Sequence, residues 1–205
     1  MSSLKLLSSL ETKKIKLMNE PWKVQEFVDS LEYNSGNRIS VADVLRTKKA
    51  DCLEAACLAL FVLRENGFES FLMDLSAVRD EDHVVCVFSV NGLYGAIAQS
   101  KFVNLRYRHP VYRTLRELAL SYFDNYFNYQ GYFGLRSFSK MPLNALNADW
   151  IYDAKTVIRI ENDFSDLQHE ELVPKDIRLT PAGKLKFQRE VVIVPKGVNI
   201  AKRYK

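Results

Sequence analysis

Residues 51–67 read DCLEAACLALFVLRENG. Asp51 stands where an N-cap is wanted, Glu54 three residues later completes a capping-box pattern, and Gly67 supplies a left-handed C-terminal position. The spacing predicts a helix from Cys52 to about Asn66. Almost every position between the caps is apolar, the signature of a helix buried on all sides. Downstream the pattern changes to extended runs: FESFLMDLSAV, then HVVCVFSV, then LYGAIAQS. Asn91-Gly92 joins the last two, and Asn-Gly between β-rich runs is a strong hairpin signal because both turn positions need positive φ. A two-residue turn sets Val90 opposite Leu93. Counting outward puts His83 opposite Ser100 and Val84 opposite Gln99. The expectation is an α+β fold, a buried central helix packed on an antiparallel sheet.

Outward toward the N-terminus, Pro21 opens a helical pattern carrying Val24, Phe27, Val28 and Leu31, and Ser40 is a good N-cap for VADVLRTK. Toward the C-terminus, Val111 to Asn128 reads as helix. Eight aromatics lie between Tyr122 and Phe138, read first as packing against the sheet and second as a substrate-lining wall. TVIRI (156–160) and EVVIVP (190–195) look like strands. With 205 residues, no repeat and no clear linker, the chain reads as one domain over 1–205. Its core spans about 40–139, between an N-terminal helical segment (1–39) and a C-terminal extension (140–205).

Composition narrows the function. Hydrophobic residues are 47% and charged residues 26% of the chain, which describes a globular protein and excludes disordered or collagenous classes. Its longest apolar run, Ala55 to Leu63, is far shorter than a membrane span. The start lacks the apolar region of an export signal, so the expected setting is the cytoplasm, where thiols stay reduced. The formal charge of +4 is local: from Lys184 to Lys205 there are seven Lys or Arg against Glu190 alone. A basic end without a recognition motif reads as a solvated tail, and nucleic acid is not the expected partner.

Three Cys and three His remain. Cys52 and Cys57 are about 140° apart around a helix, and His83 and Cys86 alternate to opposite faces of a strand, so neither pair makes a metal site. No metal or other cofactor is expected. Nucleophilic catalysis fits better, because a helix N-terminus stabilises a thiolate through its unpaired N–H groups and dipole. Cys52 holds that position, while Cys57 and Cys86 read as core thiols. His83 begins a strand beside an acidic turn; His109 and His169 read as surface residues. One pair survives: Cys52 as nucleophile and His83 as base.

The order of these parts resembles the transglutaminase-like superfamily, relatives of the papain-like cysteine proteases. ADCLEAACLALFVLRENGFES matches its central helix and following strand, DEDHVVCVFSV its His strand and NGLYGAIAQSKF the third. RHPVYRTLRELALSYFDNYFN and LRSFS are similar to a bacterial branch of that superfamily. The resemblance implies acyl transfer or hydrolysis at a peptide or protein amide, with Cys52 attacking and His83 as base. It also implies an Asp where this chain has Ala98. The hairpin register offers Ser100 and Gln99 for the third role, and Asp82 if the strand starts one residue later. The missing carboxylate equally fits a domain that binds a peptide or protein partner without turning it over.

Overall fold

A computed structural model describes residues 7–128, 130–142, 150–174, 176–181 and 184. The basic tail after Lys184 and the EVVIVP strand expected at 190–195 lie outside the described residues. Along the chain, helices α1 (Ser9–Leu17) and α2 (Pro21–Asp29) come first, then β1 (Glu32–Tyr33), α3 (Val41–Thr47) and β2 (Lys49–Ala50). The long helix α4 (Cys52–Glu65) follows, then β3 (Ser70–Ala77), β4 (His83–Val90), β5 (Leu93–Ile97) and β6 (Arg108–Tyr112). A short α5 (Leu115–Leu120), β7 (Leu135–Lys140), α6 (Ala154–Asp166) and β8 (Glu170–Glu171) complete the described elements. The architecture is α+β, as the sequence implies.

The capping box of α4 forms as read: Glu54 N–H donates to Asp51 and Asp51 N–H to Glu54. Gly67 has φ +83°, closing the helix in the left-handed region that a Cβ disfavours. The helix is apolar all round because it is covered all round. Helices α1, α2, α3 and α6 surround it on one side, and on the other it lies on the sheet, meeting Leu72, Val84, Cys86 and Phe88.

The main sheet has six strands in the order β6-β5-β4-β3-β7-β8, with antiparallel pairs throughout. Asn91 and Gly92 both take positive φ, and Val90 pairs with Leu93 as the turn requires. A second core fills the opposite sheet face, where Tyr122, Tyr126, Phe133 and Phe138 pack on Met73, Leu75, Val85 and Val87. These four aromatics are therefore packing, the first of the two readings.

Three local expectations are corrected. The hairpin register stops at Cys86 opposite Ile97, so His83 never comes opposite Ser100, nor Val84 opposite Gln99. Just past that point Gln25 of α2 holds Ala98 on the side of β5 away from β4: its side-chain oxygen accepts from Ala98 N–H while its amide donates to Ala98 O, each at 3.0 Å. The helix expected over 111–128 is cut to α5 and a single 3-10 turn (Phe123–Asn125), because Arg108–Tyr112 pairs with β5 as a strand. TVIRI is helical: Asp153 caps α6, and Thr156, Val157, Ile160 and Phe164 form one buried helical face. Tertiary burial outweighs the β preference of its branched residues. Among the described residues, no helix is long and apolar enough to cross a membrane.

Candidate active site

Cys52 is the first residue of α4 and is partly exposed, whereas Cys57 and Cys86 are wholly buried. Where β5 leaves the sheet after Ile97, the start of β4 has no β5 residue opposite it. There Cys52 and Val84 line one wall, with the backbone N–H of Val84 near enough to the sulfur to favour its thiolate, so the nucleophile expected at the helix tip meets the residue that follows His83. Burial, then the adjacent Asp51 carboxylate, push the Cys52 thiol up to about 12; the N–H groups of Val84 and Leu53 and the Arg38 guanidinium pull it down. At rest Cys52 is a thiol.

His83 starts β4 with its ring buried, edge-on to Tyr122 at 6.3 Å between centroids. Its Nε2 lies 2.9 Å from the backbone carbonyl oxygen of Leu105. A carbonyl only accepts, so Nε2 carries the ring proton and the lone pair of the neutral ring sits on Nδ1. Burial, aided by Arg108, lowers the imidazole to about 4 against the opposing bond to Leu105. At neutral pH the ring is uncharged and able to take a proton.

The groups expected behind His83 are placed otherwise. The amide of Gln99 donates to the carbonyls of Val28 and Leu31 at 3.2 and 3.1 Å, and its oxygen accepts from Ser100 N–H. The Ser100 hydroxyl accepts from Phe102 N–H at 3.1 Å. Both residues shape the turn that carries the chain from β5 to the 3-10 turn at Val103–Leu105, and it is that turn which delivers the Leu105 carbonyl. Asp82 caps the end of β3, accepting from Ala77 N–H at 2.7 Å. A backbone carbonyl in the third position carries no sequence signal.

Cys52 opens into a cavity of about 510 Å³ whose wall includes Arg38, Asp74, Asp82, Val84 and His169. His169, expected on the surface, instead donates or accepts at both ring nitrogens: Nδ1 is 2.9 Å from Leu167 O and Nε2 2.9 Å from Asp74 Oδ2. Asp74 is buried in β3, and that burial raises its carboxyl to about 6 although His169 opposes it. A carboxylate amid the apolar run FLMDLSA was the available signal for this wall; nothing in QHEE marked its partner. Arg38 joins the site from the loop before α3, bridging Asp51 at the tip of α4 and Glu161 on α6.

No curated protein matches the chain. The model of the Vasohibin family matches residues 41–141, the stretch from α3 through β7 that carries Cys52, His83 and Leu105. Over those residues the chain is similar to the vasohibins, and with them to the transglutaminase-like, cysteine-protease type of fold.

Proposed function

We propose that this protein is a cysteine-dependent enzyme acting on a peptide or protein amide, by hydrolysis or by acyl transfer to an amine. One observation carries the reading. The Cys52 thiol sits at a helix N-terminus against the backbone beside His83, whose Nε2–H is held by Leu105 so that Nδ1 is the accepting nitrogen. In the reaction, Nδ1 takes the thiol proton as sulfur attacks the carbonyl carbon. The Cys52 N–H at the opening of α4 serves the oxyanion. The imidazolium then returns the proton to the leaving amine, and a thioester remains. Water or an acceptor amine gives up a proton to Nδ1, attacks the thioester and releases the thiol.

The charge states set the energetics. Starting from a neutral thiol and a neutral ring, proton transfer accompanies the attack on the carbonyl, unlike a site that holds a standing ion pair. The Leu105 carbonyl keeps the ring oriented but stabilises the imidazolium less than a carboxylate would. The three unpaired cysteines fit a reducing, cytoplasmic setting.

The test is alkylation by iodoacetamide at neutral pH, mapped by mass spectrometry. Cys52 reacts ahead of Cys57 and Cys86, and His83→Ala slows it roughly a hundredfold, the low end of what a positioned base contributes. A second reading, a peptide-binding cleft without turnover, draws on the absence of a carboxylate at Ala98 and the high resting pKa of Cys52. An unchanged Cys52 rate in His83→Ala would decide for it.

A further inference from the structure

The cavity beside Cys52 is electrically one-sided. Asp74, Asp82 and Glu161 stand on its wall with Arg38 and His169, and Asp51 lies just behind, against Arg38. Carboxylates thus outnumber basic groups four to two even with His169 protonated. The two basic groups are also already engaged. Arg38 spans Asp51 and Glu161, its Nε 2.9 Å from Glu161 Oε2, and His169 is bonded to Asp74 and to Leu167 O. Asp82 is exposed, and its bond to Ala77 N–H engages one oxygen. Among the described residues, no ion pair joins it to a Lys or Arg.

A second feature on the same sheet face points to a missing donor. Ser139 lies directly across from Asp74 in the β3–β7 register, so the two side chains project to the same side. It is 4% exposed, and its hydroxyl has no hydrogen-bond partner. A buried hydroxyl left unpaired costs about 1–3 kcal/mol. A ligand group reaching past Asp74, which itself lines the cavity, would relieve that cost.

Among the described residues, no three His, Cys, Asp or Glu side chains are grouped so as to hold a metal ion, whereas about 510 Å³ accommodates a long side chain. A concave acidic wall focuses its field on what enters.

We propose that this cleft selects substrates with a lysine or arginine side chain beside the amide that Cys52 attacks, with Asp82 and Asp74 as the counter-charges. The inference rests on the catalytic reading above and names its substrate class.

Three peptidyl chloromethyl ketones, identical except for Lys, Leu or Glu next to the ketone, test it. Each forms an S–C bond to Cys52 and expels chloride, the thiol proton passing through His83 to solvent, and intact-mass spectrometry reads the rate. The Lys reagent reacts about tenfold faster than the Leu reagent, the lower bound of what such focusing supplies, and the Glu reagent slower still. In Asp82→Asn, which keeps the acceptor for Ala77 N–H, the Lys-to-Leu ratio falls severalfold; Asp74→Asn lowers it as well. Equal rates, a faster Leu or Glu reagent, or a Lys advantage that survives both variants overturns the proposal. So does a failure of all three ketones on protein whose Cys52 still reacts with iodoacetamide. His83→Ala separates the two claims. If it leaves every rate unchanged while the Lys advantage stands, the base assignment fails and the cationic selectivity remains.

Discussion

At the level of single residues, the proposed base is distinguished by being buried without charge. The His83 imidazole falls from 6.5 to about 4 on folding, chiefly through burial. Between those values the unfolded chain binds a proton that the folded chain refuses. Its share of stability is therefore complete above pH 6.5 and is lost as pH falls toward 4, about 3 kcal/mol for a shift of this size. Asp74 acts in the opposite sense: its acid is raised to about 6, so its penalty is relieved as pH falls through that value. Urea titrations of wild type and His83→Gln isolate the first effect, because Asp74 is common to both. The difference between them narrows from pH 7 to pH 4.5; parallel curves would mean that the ring is not buried neutral. Cys52 and His83 could be read from the sequence because a capping box and a strand start fix their places. Leu105 could not, since every residue has a carbonyl and only the path of the chain decides which one faces a histidine. For the same reason, Leu105→Ala removes packing and leaves the acceptor in place.

Among the elements, α4 positions the proposed nucleophile, and its cap is more than local. Glu54 is 1% exposed and accepts from the backbone N–H groups of Asp51 and Ile39 and from the Asn34 amide, all at about 3 Å. One carboxylate thus ties the helix tip to the loop before α3. Glu54→Ala leaves these donors without partners and costs about 2–4 kcal/mol, read as a lowered urea midpoint, with Glu54→Gln losing less. A loss under about 1 kcal/mol would show that water replaces the carboxylate. The helix and the β4–β5 hairpin were legible because caps and an Asn-Gly turn are short-range signals. The end of β5 was not, because there Ala98 is held by Gln25, 73 residues earlier, and no local signal marks that partner. α6 was hidden by Thr, Val and Ile, which favour strands unless, as here, they share one buried helical face.

For the molecule as a whole, the cleft is assembled from distant parts of the chain, with α6 and the segment after it forming one wall. Phe164 anchors that wall in the core around α4, at 5% exposure. Phe164→Ala costs about 3–5 kcal/mol if the site does not collapse. Its signature is regional: amide exchange accelerates in Ala154–Asp166 while β3 and β4 keep their protection. Equal acceleration in the sheet would make α6 part of a single cooperative unit. The bond from His169 to Asp74 crosses 95 residues of sequence, and it has a consequence in time. A ribosome makes the helix that carries Cys52 and the sheet well before it makes residue 169, so the growing chain can fold Cys52 into place while one side of its pocket is still unsynthesised. Until the last wall docks, that thiol faces the cell's oxidants and electrophiles without the shelter, or the selectivity, of the finished protein.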